Sequence, residues 1–462
     1  MTANVLSKSP SGSVKELFLL STPIFFSLLS SNLMLFCDRY FLSRYSLEAF
    51  NAVGVANYLV MLFQLTCIRF SSINQVFIGR SLGNGKIQNI GPYTWQMIWG
   101  SLLTFLLIFP AALAGKLYFA NTEVKALGET YFSIMMLGNF LFPLGATLAG
   151  FQLGLGKTKI LSFVALVSNF LNVILDYYLI NGITGILDPL GVKGAAIATL
   201  ISQSVYCAIL FFLFINNPLK KEYKTKDFYF RPSLFKECSK IGITSSLSRL
   251  VGLFFWTLSM NIVASRGGDY ITLISFGSSI CILTSIINES VSKGLTTFFS
   301  YFLGQNNWKY VWKSLRSGIV FLIWAFGLLA LPFIIYKQHL IEMTVGTNIT
   351  NPSTMNFLRL ACYWLWITFL LEGITFSIIS LLISMKETAF LFKAGIFITF
   401  LTSYLPYLSG YKIGNLAPDK IWMLTWICFT LTPTVHLFKI LKSYRQCKKF
   451  LPMGRKNLFE II

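Results

Sequence analysis

The sequence predicts an all-α integral membrane protein, with twelve transmembrane helices in two pseudo-symmetric six-helix bundles. Of the 462 residues, 55% are hydrophobic and only 12% are charged, and the mean hydropathy is +0.66, which is too apolar for a soluble protein. Apolar runs long enough to cross a bilayer recur along the whole chain between short polar loops. The alternating segments typical of an outer-membrane barrel are absent from the sequence.

The apolar runs predict twelve spans of the length that a helix needs to cross a bilayer. They are 17–42, 52–79, 92–115, 129–153, 160–180, 194–215, 240–264, 271–302, 315–336, 355–384, 394–411 and 420–440. The first run is too long for the apolar core of a signal peptide, and the polar segment before it lacks the features of one. Prolines within several spans, such as Pro406, are expected to bend their helices.

The basic residues indicate the orientation of the chain in the membrane. Lys and Arg are concentrated after the even-numbered spans and in the C-terminal tail. Because positively charged loops stay in the cytoplasm, this pattern predicts a multi-pass protein of the cell (inner) membrane with both termini cytoplasmic. The same retention of basic loops explains the formal net charge of +21, so nucleic acid is not an expected partner.

The longest basic loop divides the chain into two halves. The predicted parts are an N-terminal six-helix lobe (1–215), a cytoplasmic linker (216–239), a C-terminal six-helix lobe (240–441) and a basic cytoplasmic tail (442–462). The halves resemble each other in sequence, since Leu82-Gly83 after span two corresponds to Leu303-Gly304 after span eight. Parallel repeats of this kind predict a substrate path between two bundles.

The polar residues inside span five are the main indication of function. Asn169, Asn172 and Asp176 lie at positions i, i+3 and i+7, which places them on one helical face. A carboxylate in hydrocarbon costs at least about 2.5–3.5 kcal/mol, so such residues normally face a polar interior and serve a function.

The predicted orientation places four oxygen-bearing side chains at a similar depth in the membrane. Asp38 lies near the outer end of span one, Asn172 and Asp176 in the outer half of span five, and Thr199 near the outer start of span six. Such oxygens suit a hard monovalent cation, here Na+ as the candidate metal ion, and two close carboxylates could instead share a proton. Alternatively, Asp38 could reach the outer surface or pair with Arg39 or Arg69.

The second half has its intramembrane acids elsewhere. Glu289 in span eight precedes Lys293 by four residues, so an ion pair within the helix is expected. Glu372 in span ten has no basic residue within one helical turn, which makes it the better candidate for a second functional acid. Ser259 or a neighbour takes the place that corresponds to Asp38.

Catalytic and cofactor sites are not expected. The eight cysteines are scattered without a Cys-x-x-Cys pair, and the two histidines are far apart. His436 lies in a span with no acid nearby in sequence, which disfavours a membrane enzyme such as an acyltransferase. No Walker-type motif is present in the sequence, so ATP is not the expected energy source, and no cofactor other than a coupling Na+ or H+ is expected.

Several motifs, taken in order, resemble those of the multidrug and toxic compound extrusion (MATE) family. The segments are Ser21-Thr22-Pro23 and Cys37-Asp38-Arg39 in span one, Gly150-Phe151-Gln152-Leu153-Gly154-Leu155-Gly156-Lys157-Thr158 after span four, Asn172-x-x-x-Asp176 in span five, and Gly191-Val192-x-x-Gly194-Ala195-Ala196-x-Ala198-Thr199 leading into span six. The resemblance covers nearly the whole chain and is strongest over residues 14–205.

The resemblance implies a cation-coupled exporter of organic cations and drugs, with two six-helix lobes that open alternately to each side of the membrane. It also implies that Asp38, Asn172, Asp176 and Thr199 bind the coupling ion, and Glu372 falls where many members carry an acid. Arg69, Glu289 and Lys293 are departures from the family pattern.

These observations leave two transport functions open. The first is a Na+- or H+-coupled antiporter that exports small organic cations and acts as a monomer in the lipid bilayer. The alternative is a flippase or exporter of a lipid-linked or anionic precursor, because Arg69 and Lys293 could hold phosphates.

Overall fold

The computed structural model describes residues 10–119, 125–183, 185–186, 188–346 and 351–449, and these residues are predominantly helical. The helices are α1 (Val14–Tyr45), α2 (Leu47–Ser72), α3 (Asn74–Gly83), α4 (Ile90–Phe119), α5 (Lys125–Leu137), α6 (Leu141–Gly154), α7 (Thr158–Asn181), α8 (Val192–Ile215), α9 (Pro232–Ala264), α10 (Gly268–Gly304), α11 (Trp308–Ala330), α12 (Lys337–Val345), α13 (Pro352–Ser384), α14 (Thr388–Thr399), α15 (Leu405–Tyr407) and α16 (Lys420–Lys449). The predicted basic tail lies largely outside the described residues.

The number of membrane-crossing helices agrees with the sequence prediction. Within the described ranges, 11 helical segments are long and apolar enough to cross a membrane, and the bent pair α5–α6 raises the number to 12. The all-α, multi-pass architecture is thereby confirmed.

Span four, which the sequence predicts as one helix over 129–153, is broken in the structure. It consists of α5 and α6, which meet at an angle of 42°. Gly138 lies at this break, where an added Cβ would come within 2.3 Å of Leu200 Cδ2. Glycine therefore leaves room for the Leu200 side chain of α8 at a place where the sequence reads as a continuous apolar run.

Several helix ends also differ from the predicted spans. Span two begins at Leu47 rather than at residue 52, because the Ser46 hydroxyl accepts a hydrogen bond from Ala49 N at 3.0 Å and caps α2. The seventh helix across the membrane begins at Pro232, inside the segment predicted as a linker. Around Pro406, short α15 is flanked by wider π-helical turns, the kind of irregularity that proline promotes.

The chain forms two compact units, Leu20–Ser246 and Leu247–Ile462, the latter together with the residues before Leu20. In the first unit, the most extensive packing joins α7 to α8 and α4 to α5. In the second unit, α13 is central and packs against α10, α11 and α16. The predicted lobe and linker boundaries stay predictions.

The start of the chain joins the second unit through polar contacts with α11. Ser317 Oγ donates to the carbonyl of Gly12 at 2.7 Å, and Lys313 Nζ donates to the carbonyl of Ser11 at 2.9 Å. Gly12 has a φ of +68°, a conformation that favours glycine. These contacts explain why the residues before Leu20 belong to the second unit.

Candidate functional site

Close packing of α7 and α8 forms the base of the candidate site. After α7 ends, Leu190 N donates to Leu179 O at 3.0 Å and Gly191 N donates to Ile180 O at 3.2 Å, so the chain returns directly alongside the helix it has left. An added Cβ at Gly194 would lie 2.5 Å from Leu179 O. Because Gly194 has no side chain, the first turns of α8 can lie against the last turns of α7.

This packing brings together the four residues that the sequence predicts as an ion-coupling site. Asp38 lies on α1, Asn172 and Asp176 on α7, and Thr199 on α8. Asn172 and Asp176 are 0% exposed within the protein, and Asp38 and Thr199 are buried to more than nine-tenths. Three helices therefore direct polar side chains to one buried place.

Asn172 is the centre of the cluster. The hydrogen-bonding groups around Asn172 have suitable partners when the amide nitrogen faces the acids. In that orientation the nitrogen donates to Asp38 Oδ1 at 3.0 Å and to Asp176 Oδ2 at 3.2 Å. The amide oxygen then accepts from Thr199 N at 3.2 Å. The opposite orientation would direct the amide oxygen at the two carboxyl groups, which is the arrangement that a bound cation favours.

The two acids are themselves close. The side chains of Asp38 and Asp176 lie within hydrogen-bond reach of each other. Two carboxyl groups can form a hydrogen bond only when one of them carries a proton, and two carboxylates at such a distance otherwise need a cation between them. Asp176 Oδ1 has no hydrogen-bond partner among the described residues, so this oxygen is available to a ligand.

Thr199 contributes through both its backbone and its side chain. Its hydroxyl donates to Ala195 O at 3.0 Å, within α8. Since the proton is used in that bond, the hydroxyl oxygen keeps its lone pairs free for a cation or another donor. The side-chain contacts of Asp38 include Asn172 and Asp176.

The structure adds a tyrosine that the sequence interpretation did not include, and it shows what Asn169 contacts. Tyr131 on α5 is 6% exposed and lies within electrostatic range of Asp38 and Asp176. No sequence signal separates this tyrosine from the other 19, because its position depends on how α5 packs. Asn169, which lies on the same face of α7 as Asn172, donates to Ser30 Oγ of α1 at 2.7 Å.

A second acidic place lies in the other unit, on α13. Asn288 Nδ2 on α10 donates to Glu372 Oε2 at 2.9 Å and to Phe369 O at 3.1 Å. An added Cβ at Gly373 would come within 2.6 Å of Asn288 Oδ1, so glycine permits this approach. Arg249 of α9 lies within electrostatic range of Glu372, and because it belongs to another helix it is not within one turn of Glu372 in sequence.

Glu289 behaves as the sequence predicts for a paired acid. Lys293 Nζ lies 2.9 Å from Glu289 Oε1, one turn apart on α10. Ser259, which the sequence predicts at or next to the place corresponding to Asp38, donates to the backbone carbonyls of Phe255 at 2.8 Å and Ser403 at 3.0 Å. The hydroxyl of this residue is thus bonded to the backbone.

Among the residues that the structure describes, no three His, Cys, Asp or Glu side chains form a metal-binding cluster. His436 is buried beside the Phe390 ring, with ring centroids 6.0 Å apart. Neither of its ring nitrogens has a hydrogen-bond partner in the described part of the chain.

Comparisons with known proteins show similarity to transporters. A family model described as MatE matches residues 23–178, which include Asp38, Asn172 and Asp176. The chain is 25% identical over 316 residues to the probable multidrug resistance protein NorM of Thermotoga maritima, a match that covers 66% of each protein.

Two solved structures share the fold. A MOP superfamily transporter from Pyrococcus furiosus Vc1, described with a binding pocket of reverse polarity, has a TM-score of 0.82 at 16% identity over 96% of this chain and 100% of its own. An outward-facing multidrug resistance MATE family transporter has a TM-score of 0.81 at 17% identity over 95% and 98% of the two chains. These findings support a multi-pass membrane transporter that is similar to the MATE family in sequence over residues 23–178 and shares its fold over nearly the whole chain.

Proposed function

We propose that the protein is a secondary antiporter that exports structurally varied organic cations, including drugs, in exchange for Na+ or H+. The coupling ion binds at Asp38, Asn172, Asp176 and Thr199. The observation that carries this proposal is the single amide of Asn172 within 3.2 Å of two buried acids from different helices. Multidrug resistance, named for the relative from Thermotoga maritima, supports a broad substrate range.

The chemistry of the site accounts for coupling. A single proton or Na+ between Asp38 and Asp176 replaces their mutual repulsion with a shared cation, so the helices that carry them can pack closely. When the ion leaves, mutual repulsion and hydration of the two carboxylates favour a looser arrangement of α1 against α7. The ion shifts the conformational equilibrium only by its differential affinity for the two arrangements.

Asn172 distinguishes the two candidate ions. With its nitrogen towards the acids, the amide stabilises a proton-sharing pair. With its oxygen towards them, it joins the carboxylates and the Thr199 hydroxyl as ligands of Na+. Coupling to Na+ therefore depends on the amide oxygen, whereas coupling to H+ requires only the carboxyl groups.

The substrate is proposed to interact with a second acid, Glu372. Its carboxyl group is half-buried and accepts a hydrogen bond from Asn288. A carboxylate in an apolar surrounding attracts organic cations. Arg249 and Lys293 lie in the same unit and are the groups that favour the second candidate, export of a lipid-linked or anionic precursor. Lys293 is already paired with Glu289, which makes organic cations the preferred class.

The decisive experiment is transport in proteoliposomes with imposed gradients. Vesicles loaded with a fluorescent organic cation are given a Na+ gradient, a pH gradient or neither, and efflux is measured for the wild type and for Asp38→Asn/Asp176→Asn. We expect one gradient to drive efflux in the wild type and neither to do so in the double variant. Asp188→Asn, which alters an exposed acid between α7 and α8, is the matched control.

Two results would contradict the proposal. One is gradient-driven efflux by the double variant at the wild-type rate. The other is saturable uptake of a lipid-linked substrate into inverted vesicles that does not depend on any cation gradient, which would favour the second candidate function. The remaining proposals are that both termini lie in the cytoplasm, that the protein resides in the inner membrane, and that it works as a monomer.

A further inference from the structure

The segment between α8 and α9, residues 216–231, is tied to α4 along its length. We call it the linker segment. Four of its backbone carbonyls accept hydrogen bonds from α4. The pairs are Gly91 N to Tyr223 O at 2.7 Å, Trp95 Nε1 to Thr225 O at 2.7 Å, Gln96 Nε2 to Tyr229 O at 3.0 Å, and Trp99 Nε1 to Phe228 O at 3.1 Å. Such bonds hold its side chains in defined positions, unlike a flexible tether.

Two details show how closely the linker segment fits. An added Cβ at Gly91 would lie 2.2 Å from Lys224 O, so α4 needs glycine at this position. Lys224 itself has a φ of 52°, in the left-handed region that favours glycine over lysine. A lysine at such a position is held there by the surrounding hydrogen bonds and keeps its cationic side chain on this surface.

The linker segment forms an open cleft of about 500 Å³ with a strongly cationic lining. The lining residues are Lys220, Lys221, Lys224, Lys226, Asp227, Tyr229 and Arg231. Asp227, the one acid, is already paired with Arg231. The four lysines form no ion pair within the described part of the chain, so their charges are available to an anion.

Three aromatic side chains lie beside the cleft and are exposed. The exposed fractions are 54% for Phe228, 69% for Tyr229 and 52% for Phe230, and the first two rings stack with centroids 5.4 Å apart. Both helices that flank the linker segment can cross a membrane, which places this segment at the membrane surface. Aromatic side chains at that level settle among lipid headgroups.

We propose that the linker segment binds the phosphate headgroup of anionic phospholipids. The lysines supply the charge, as basic segments next to membrane helices do for acidic lipids. The exposed aromatic rings supply contacts with the apolar part of the lipid. A free phosphate would use the lysines but not the rings, so the combination points to a lipid.

The test is lipid retention by the purified full-length protein. The protein is extracted from vesicles of equal parts phosphatidylglycerol and phosphatidylcholine, and bound lipids are counted by native mass spectrometry. The wild type should retain phosphatidylglycerol selectively. Lys220→Gln/Lys221→Gln/Lys224→Gln/Lys226→Gln should lower that selectivity at least tenfold, roughly the effect of several basic residues near a charged surface.

A matched control removes the same charge elsewhere. Lys159→Gln/Lys309→Gln/Lys393→Gln/Lys442→Gln replaces four exposed lysines outside the linker segment, and it should keep the wild-type selectivity. Phe228→Ser/Phe230→Ser should weaken lipid retention although it leaves every lysine in place. All of these changes lie on exposed side chains, so the fold is expected to persist.

Equal phosphatidylglycerol selectivity in the two lysine variants would overturn the proposal. Displacement of the lipid by inorganic phosphate, with retention unaffected by Phe228→Ser/Phe230→Ser, would overturn it in favour of a free phosphate. Because the readout is bound lipid, the result is independent of whether the protein exchanges organic cations for Na+ or H+.

Discussion

With its nitrogen turned towards the acids, the side-chain amide of Asn172 on α7 lies 3.0 Å from Asp38 Oδ1 on α1. The two residues are 134 positions apart in the chain. The MatE family match begins in α1 and ends in α7, so this contact joins the first and last helices of the matched region. Since Asp176 lies one turn from Asn172 on α7, one amide connects both acids. The contact makes the carboxyl pair a single unit whose charge changes when an ion binds or leaves.

Loss of either acid should abolish ion-driven export. Asp38→Asn and Asp176→Asn each remove a charge that a cation needs, and dye efflux in proteoliposomes should fall at least tenfold. Because the acids act as a pair, the double variant should be no slower than either single variant. Wild-type dependence on Na+ and pH in both single variants would move the coupling site elsewhere, with Glu372 the next candidate.

Asn172→Ala should weaken binding of the coupling ion more than Thr199→Ala does. Hydrogen bonds to charged groups contribute about 1.5–3 kcal/mol, so the loss of the amide should lower apparent affinity roughly ten- to a hundredfold. The Thr199 hydroxyl already donates to Ala195 O and offers only its oxygen, which predicts a smaller effect. The measurement is the ion concentration for half-maximal efflux, and Thr199→Ser should restore it. A larger effect from Thr199→Ala would contradict this ranking.

Asn172→Ala should also show whether Na+ or H+ is the coupling ion. If Na+ is the coupling ion, this change removes an oxygen ligand, and Na+-driven efflux should need roughly ten- to a hundredfold more Na+. If H+ is the coupling ion, efflux driven by a pH gradient should persist at a reduced rate, because the carboxyl groups remain. Unaltered Na+-driven efflux in this variant would exclude the amide oxygen as a ligand.

Glu289 and Lys293 should compensate each other. Their side chains are 50% and 34% exposed within the protein and lie 2.9 Å apart, so each mainly offsets the charge of the other. Glu289→Gln and Lys293→Met should each impair transport, and the double variant should recover much of that loss. Additive losses would show instead that at least one of the two groups has a role of its own.

Glu372→Gln should impair export while expression in the membrane stays normal. The carboxyl group accepts a hydrogen bond from Asn288 and lies near Arg249, so its charge interacts with groups inside its own unit. Substrate efflux is compared with that of Glu48→Gln, which alters an exposed acid in the first turn of α2. Export at the wild-type rate by Glu372→Gln would remove this residue from the site.

The orientation of the chain can be tested with single cysteines. On a background without the eight native cysteines, Tyr229→Cys should resist a membrane-impermeant thiol reagent added to intact cells. Ile186→Cys, between α7 and α8, should react, since this side chain is 83% exposed and the loop is predicted to face outward. Labelling of Tyr229→Cys from outside would reverse the orientation and the predicted depth of the site.

Much of the fold follows from properties that are local in sequence. A run of apolar residues partitions into a bilayer whatever the rest of the chain does, so the twelve spans could be predicted from their composition. Asn172 and Asp176 share a face because they are four residues apart, which is a property of any helix. Basic loops predict an orientation for the same reason, since each loop is retained according to its own charge.

Contacts between segments that are distant in sequence could be identified only from the tertiary structure. Leu200 of α8 lies against Gly138 at the break between α5 and α6, and Tyr131 lies near the acids only because α5 packs there. Asn288 and Arg249 reach Glu372 from other helices. The linker segment, which reads as a solvated basic loop, is instead held along α4 by hydrogen bonds to its backbone carbonyls. Backbone carbonyls carry no sequence signature, so only the folded arrangement of α4 and this segment decides which of them are bound.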